Sequence, residues 1–272
     1  MKLGIVGQGF VGNAVYQKFK KYYKVRTFDL DVEKRNSTFE EVAECDYVFV
    51  CLPTPMNSNG SCNTDIVENV VRQLDEHGKL KGIIIKSTIP PGTTEKWNQK
   101  YTTSIVFNPE FLTERNAILD YENQNRIILG GPRPTTTELK QIFLKVFPKS
   151  HIIKTNSTYA EMIKYITNTF LSVKVSFANE MYQLCEELGA DYDKIIEYAI
   201  MDERLGKSHW GVPGHDGDFG FGGHYFPKDL SALLYLTKEL GTTNNVLEAT
   251  QKTNNEVRKN RDWEQMKGRA VI

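Results

Sequence analysis

Two short stretches hold residue types that do chemistry. Gly220-Phe221-Gly222-Gly223-His224-Tyr225-Phe226-Pro227-Lys228-Asp229 combines three glycines with an imidazole, a phenol, a cation and a carboxylate. Glycines let a backbone approach a ligand closely and take positive φ. Lys228 and Asp229 then place opposite charges just beyond that approach. Near the other end, Gly7-Gln8-Gly9-Phe10-Val11-Gly12 follows a short apolar run, and helical spacing continues over residues 10–22. Residues 25–29 read as a strand ending on Asp29, about 20 residues beyond the glycines, as the dinucleotide fingerprint requires. In that fingerprint Gly7 makes the tight turn and Gly9 lets a pyrophosphate approach. Gly12 lets helix and strand pack, and Asp29 accepts hydrogen bonds from the adenosine ribose. The helix start, with Phe10 and Val11, supplies positive potential for phosphates. A carboxylate at position 29 repels a 2′-phosphate and favours NAD over NADP, while Lys34 and Arg35 work against that preference. One stretch reads as the cofactor end and the other as the substrate end.

The elements between must bring these ends to bear. Strands are expected at residues 47–52, 82–86, 104–107, 126–129 and 151–154, with a helix at 66–74. Such alternation predicts an α/β, Rossmann-type, doubly wound parallel sheet with helices on both faces. Ligands sit at the carboxyl ends of strands in such sheets. The segments beginning at Pro53-Thr54, Ser87-Thr88 and Asn108 lie there, although each alone is also an ordinary turn. At Ser157 the period changes. Tyr159, Ile163, Ile166, Phe170, Val173, Phe177, Met181, Leu184 and Leu188 step by three or four, the stripe of one long helix. At 1.5 Å per residue it spans about 48 Å and stops at Gly189. That length suggests a helix that joins two domains and contributes to a dimer interface. Lys164 and Asn168 share a face off the stripe, where a solvated polar pair is the plain expectation. Residues 191–202, 228–240 and 243–262 read as further helices around a glycine-rich loop at 206–223, which makes the second part an all-α domain.

Composition narrows the partners. The 272 residues hold 34 basic and 34 acidic side chains, so the formal charge is zero and no run of like charge stands out. That argues against nucleic acid or an anionic membrane. Cys45, Cys51, Cys62 and Cys185 show no CxxC pairing, and no apolar run approaches the roughly 20 residues of a membrane span. The first residues run straight into the glycine turn, too short for a signal peptide. A reduced, cytoplasmic protein is expected. His209, His215, Asp216, Asp218 and His224 crowd the glycine loop. Their irregular spacing reads as a solvated polar loop rather than a metal site, with His215 or His224 as a possible proton donor.

Taken in order, GQGFVG at Gly7, CLPTP at Cys51, KSTIPPGT at Lys86, NPEFLTE at Asn108, RIILGG at Arg126, SFANE at Ser176 and FGFGGHYFPKD at Phe219 resemble the UDP-glucose/GDP-mannose dehydrogenase family over nearly the whole chain. Members of that family use NAD to oxidise the 6-position alcohol of a nucleotide sugar to a carboxylate. The resemblance implies that Gly7, Gly9, Phe10, Val11, Gly12, Asp29, Pro53, Thr54 and Thr88 bind NAD, with Thr88 also positioning a catalytic water. It places Phe111, Leu112 and Glu114 along the substrate and Glu110 or Glu114 near the reacting carbon. Lys164 and Asn168 would stabilise the alkoxide. Arg204 and Phe219 would meet the sugar nucleotide, and Gly222 and Gly223 would let the loop close on it. Asp229 would serve a proton relay, with Lys228 beside it.

Two positions depart from the family pattern. Tyr225 stands where the family has a cysteine that captures the aldehyde and allows a second hydride transfer through a thioester. A phenol cannot form a thioester, and only Cys62, in a loop, offers itself as a substitute thiol. Residues 266–272 look like the first strand of a third domain that normally completes the nucleotide cleft. The expected layout is an NAD domain at 1–156, a helical dimerisation and substrate domain at 157–265, and this remnant. The expected activity is that of a nucleotide-sugar 6-dehydrogenase, with UDP-glucose as substrate and turnover limited to alcohol–aldehyde interconversion. Two alternatives remain: an oxidoreductase of a smaller hydroxy compound, and a non-catalytic module that holds NAD or a nucleotide sugar.

Overall fold

A computed structural model describes residues 1–272. The chain divides into two compact units, residues 1–54 with 63–164 and residues 55–62 with 165–272. The first contains β1 (Lys2–Val6), α1 (Phe10–Phe19), β2 (Lys24–Phe28), α2 (Phe39–Ala43), β3 (Tyr47–Val50), α3 (Asp65–His77) and β4 (Gly82–Ile85). It continues with α4 (Thr93–Lys100), β5 (Ile105–Phe107), α5 (Ala117–Glu122), β6 (Arg126–Gly130), α6 (Thr135–Val146) and β7 (His151–Thr155). The seven strands form one sheet in the order β2-β1-β3-β4-β5-β6-β7. All pairs are parallel except β5 with β6, which meet antiparallel at Phe107 and Gly130.

The sequence explains the sheet. β3 (YVFV), β4 (GIII) and β5 (IVF) are buried at every position, as runs covered on both faces must be. Alternate side chains feed two cores. Ile5, Phe19, Phe49, Phe143 and Phe147 pack on one face, and Val48, Val50, Ile83, Ile85 and Trp97 on the other. β1, β3, β4 and β5 run in the same direction, so Val6, Val50, Ile85 and Phe107 end on one edge of the sheet. The loops at Gly7, Cys51, Lys86 and Asn108 all leave from that edge.

Helices α2, α4, α5 and α6 were not legible in the sequence. α2 has five residues and is defined mainly by its capping box, in which Thr38 and Glu41 satisfy each other's backbone. α4 follows a Pro-Pro-Gly turn and is strongly polar, so no apolar stripe marks it.

α7 (Ser157–Leu188) leaves the first unit at Lys164 and continues in the second. The second unit also holds α8 (Tyr192–Ala199), α9 (Phe226–Glu239) and α10 (Asn245–Val257). α7 has an inverted polarity. Glu161, Lys164, Asn168, Thr169, Ser172, Ser176 and Asn179 are buried, while Tyr159, Ile166, Phe170, Phe177, Leu184 and Leu188 are exposed. The solvated Lys164–Asn168 pair suggested by spacing alone, already set aside by the family resemblance, is not found: both side chains are buried, along with Ala160, Tyr165 and Ala178. α8 stops at Ala199 and α10 at Val257, earlier than helical periodicity suggested. Arg258 leaves the helix in an extended conformation, and residues Asp262–Gln265 form only a short 3-10 turn. Residues 266–272 form no regular strand. Met56 and Lys267 each make a single-residue bridge with Val271. No helix of the molecule is long and apolar enough to cross a membrane.

Candidate functional site

The glycine turn after β1 has the geometry of a dinucleotide cradle. Gly7 sits at φ 91°, and a Cβ there would lie 2.4 Å from the Cys51 carbonyl oxygen. A Cβ on Gly12 would lie 1.9 Å from the Gly7 carbonyl oxygen, so helix and strand need glycine to pack. A Cβ on Gly9, at the N-cap of α1, would meet nothing within 4 Å. That open space at a helix N-terminus suits a phosphate. Asp29 follows β2, and its Oδ2 accepts the Gln8 N–H at 2.6 Å, which ties the acid to the glycine turn. Its Oδ1 accepts the Asp31 N–H at 2.9 Å. Lys34 pairs with Asp31 at 2.9 Å and Arg35 covers the Phe28 ring, so both cations have partners other than Asp29. Phe10 is exposed and Val11 half-buried. These residues fit a dinucleotide with a free ribose 2′-hydroxyl.

The next two loops are tied to each other. The Thr54 hydroxyl donates to the Thr88 carbonyl at 2.8 Å, and the Leu52 N–H donates to Ser87 Oγ at 2.9 Å. Thr54 and Thr88 are buried, whereas Pro53 is exposed.

Beyond β5, two buried lysines meet the Asn108 segment. Lys164 Nζ donates to the Glu110 carbonyl at 2.6 Å and to its Oε1 at 2.8 Å, with both side chains almost fully buried. Burial pushes the Glu110 carboxyl up, but Lys164 outweighs it and holds the group below the usual carboxylate range. Removing one partner of such a pair costs about 3–5 kcal/mol, because the other charge is left buried alone. Lys86 lies beneath, donating to Asn108 Oδ1 at 3.1 Å, and burial pushes its amine down to about 8. The sequence reading gave Lys86 and Asn108 no role. The available signal was a lysine closing an all-apolar strand, where a buried amine needs a designated acceptor.

Phe111 is half-buried, stacked against Arg126 at 4.2 Å and Lys164 at 5.6 Å. Leu112 belongs to the core of the first unit, so its side chain is part of the scaffold. Glu114 is half-buried in the loop before α5.

In the second unit α9 carries the charged residues. Tyr225 caps its start, and the Asp229 N–H donates to the Tyr225 carbonyl at 3.0 Å. Asp229 is 1% exposed. Its Oδ2 accepts from Asn168 Nδ2 at 2.6 Å and its Oδ1 from Lys228 Nζ at 2.5 Å. The His224 ring lies against Tyr225, with centroids 4.0 Å apart and the planes tilted by 37°. Phe219 packs edge-on against Tyr182. Gly223 takes φ 68°, and Gly222 faces Arg258, whose Nη2 would lie 2.3 Å from a Cβ. Arg204 is largely exposed and its guanidinium is clasped by Asp202.

The polar loop residues separate. Asp216 and Asp218 both pair with Arg258, Asp216 while still exposed to solvent and Asp218 half-buried. No three His, Cys, Asp or Glu side chains gather where they could hold a metal ion. Among the thiols, Cys45 and Cys185 are buried, and desolvation pushes Cys51 up to about 12. Cys62 is half-buried and bridges to Met56.

Comparison with known proteins bears on both units. Residues 30–147 match the NAD binding domain of the UDP-glucose/GDP-mannose dehydrogenase family, and residues 158–256 match the family's central domain. The UDP-glucose 6-dehydrogenase TuaD of Bacillus subtilis is 35% identical over 224 residues, covering 78% of this chain and 47% of TuaD. A UDP-glucose dehydrogenase structure from Pyrobaculum islandicum aligns with a TM-score of 0.84 at 27% identity, covering 94% of this chain and 68% of that one. The 3-hydroxyisobutyrate dehydrogenase of Mycobacterium tuberculosis shares the fold with a TM-score of 0.76 at 18% identity, over 96% of this chain and 95% of that one. The chain spans about half the length of the curated relatives it matches first.

Proposed function

This chain belongs to the UDP-glucose/GDP-mannose dehydrogenase family, and on that premise we propose that it is an NAD-dependent dehydrogenase of the 6-position alcohol of a nucleotide sugar. UDP-glucose is the proposed substrate. The observation that carries the reading is the buried Asn168–Asp229–Lys228 array one turn along α9 from Tyr225. A buried carboxylate that accepts from both an amide and an ammonium group beside the start of α9 is placed to exchange a proton, so a proton-transfer role fits it.

Bound NAD would accept a hydride from the substrate carbon. Gly7, Gly9, Gly12 and Asp29 are proposed to hold it, with Thr54 and Thr88 bracing the adjoining loops. Asp229 is proposed to take up the hydroxyl proton, directly or through water. Lys164, oriented by the Glu110 carboxylate and carbonyl, and Asn168, oriented by Asp229, are proposed to stabilise the developing oxyanion. Glu110 thereby acts on Lys164 rather than on the sugar.

Tyr225 limits the chemistry. Carrying the aldehyde to a carboxylate through a thioester needs a thiol, which a phenol cannot replace. The reaction is therefore expected to stop after one hydride transfer. With NAD, UDP-glucose and an aldehyde trap, trapped UDP-hexodialdose and one NADH per sugar are expected, and no uronate. Steady uronate with a pair of NADH per sugar would overturn the limit. Tyr225→Cys should restore uronate formation. A non-catalytic binder is the second reading, favoured by Tyr225 itself. It predicts NAD binding with no hydride transfer in either direction, including from NADH to an added aldehyde.

A homodimer is also proposed. Ile166, Phe170, Phe177, Leu184 and Leu188 form an exposed apolar stripe along α7, and Tyr198 and Met201 extend the exposed apolar surface. Sedimentation should give a dimer at micromolar concentration, and Phe170→Glu with Phe177→Glu should give a monomer. A wild-type monomer would remove the proposal.

A further inference from the structure

We propose that Arg258 is a positioning residue for the sugar-nucleotide site, acting through the backbone of residues 219–223. The functional half of this inference rests on the dehydrogenase reading above, and the structural half stands on geometry alone.

Arg258 follows α10, and its side chain is 1% exposed. Nη1 meets Asp216 Oδ2 at 2.7 Å, and Nε donates to the Asn260 carbonyl at 2.7 Å. Longer contacts reach the Phe219 carbonyl at 3.5 Å, Asp262 Oδ1 at 3.4 Å and Asp218 Oδ2 at 3.6 Å. A rigid guanidinium fork suits such divided duty, and a lysine ammonium does not. Asp262 in turn accepts the Gly223 N–H with both oxygens, at 3.2 and 3.1 Å. Asn254, one turn earlier on α10, accepts the Phe221 N–H at 2.7 Å and donates to its carbonyl at 3.0 Å. Asn179 of α7 accepts the Gly220 N–H at 3.1 Å.

Side chains thus bond the backbone at Phe219, Gly220, Phe221 and Gly223. The glycines are shaped to that grip. A Cβ on Gly220 would lie 2.3 Å from Asn254 Oδ1, and one on Gly222 would lie 2.4 Å from Asp262 Oδ1. A glycine loop that closes on its ligand leaves such groups to water until closure. Here they are already bonded, so the loop is set in advance. Gly223 stands two residues before Tyr225, which opens the helix bearing Lys228 and Asp229. Arg258 touches none of these three. It fixes their approach by holding Asp262, and by neutralising carboxylates that would otherwise repel one another. Without it, substrate binding would have to order the segment, which raises KM more than it lowers kcat.

The test measures amide hydrogen exchange in peptides covering 219–225, NAD affinity by calorimetry, thermal unfolding, and KM and kcat for UDP-glucose. For Arg258→Lys we expect exchange in 219–225 at least tenfold faster and KM at least tenfold higher. NAD affinity should stay within twofold and kcat within threefold. Millimolar guanidinium should recover KM in Arg258→Ala. If neither Arg258 variant folds, Asp216→Asn removes the shortest ion pair from the more exposed partner and should speed exchange in 219–225 at least threefold. Unchanged exchange in that segment would overturn the structural half, as would equal acceleration throughout the protein. A fall in kcat with KM unmoved would overturn the functional half. So would a wild-type protein that takes no nucleotide sugar, an outcome that defeats the dehydrogenase reading while leaving the exchange result to stand.

Discussion

At Gly7 and Gly12 the space a Cβ would need is filled by backbone, the Cys51 carbonyl at 2.4 Å and the Gly7 carbonyl at 1.9 Å. At Gly220 and Gly222 it is filled by the ends of side chains, Asn254 Oδ1 at 2.3 Å and Arg258 Nη2 at 2.3 Å. The first arrangement follows from how β1, β3 and α1 pack, so it is set wherever that strand–turn–helix forms. The second is imposed by side chains of α7, of α10 and of the segment after it, distant in sequence, that bond the loop's own peptides. Backbone can yield only by separating elements of the sheet core, whereas side chain ends can swing. The two loops therefore share a composition and differ in what enforces it.

The largest effect is expected where only backbone stands in the way. Gly12→Ala should destabilise the protein by about 3 kcal/mol or more, the upper range for overpacking, and lower the melting temperature by roughly 10 °C. NAD binding should be lost with it. Thermal melts and calorimetry check both. A melting temperature within a degree or two of wild type would show that α1 can lift from the β1 turn, and the contrast between the loops would dissolve.

Gly222→Ala should have a middling effect. Its φ lies outside the left-handed region, so the added methyl meets only Arg258 and Asp262. Both can move, at the expense of their ion pair and of the Gly223 anchor. About 1–2 kcal/mol is expected, with NAD affinity unchanged. A loss as large as that of Gly12→Ala would mean that the Arg258 cluster is as unyielding as backbone.

The same contrast governs what could be read in advance. The first loop was legible because its glycines and its acid lie in one strand–turn–helix–strand stretch, and spacing from Gly7 to Asp29 reports them. The parallel sheet was legible because its strands are unbroken apolar runs. The length of α7 was legible from periodicity, but its orientation was not. The stripe of Ile, Phe and Leu was expected to contribute to a dimer interface, but nothing in it told that Glu161, Lys164 and Asn168 form a buried face. Glu161 shows the cause: it accepts the Gly92 and Thr94 N–H groups at 2.6 and 2.9 Å, capping α4 from another helix. Such partners join residues about 70 positions apart, and no local pattern announces them. Arg258 and Asn254, with partners some 33 to 42 positions away, were missed for the same reason.

The smallest effect on the fold, and the sharpest on function, is expected at Gly9. Its φ of −71° and ψ of −161° are open to any residue, and a Cβ there meets nothing within 4 Å. The fold therefore does not demand glycine at this position. Alanine at an N-cap in place of glycine costs about 0.5 kcal/mol, so Gly9→Ala should melt within about 2 °C of wild type. What remains to require glycine is a ligand that needs the space. If a pyrophosphate approaches the start of α1 here, the methyl should weaken NAD at least tenfold, about 1.4 kcal/mol. Titrating wild type and variant with both NAD and NADP separates two contributions. The methyl should penalise the two cofactors alike, because both share the pyrophosphate. Wild type should rank NAD above NADP, and the variant should keep that order, because Asp29 is proposed to meet the ribose. Unchanged NAD affinity in Gly9→Ala would leave this glycine without a role and move the phosphates elsewhere along the sheet edge. Equal affinity for NADP would show that Lys34 or Arg35 leaves its present partner to offset the Asp29 carboxylate.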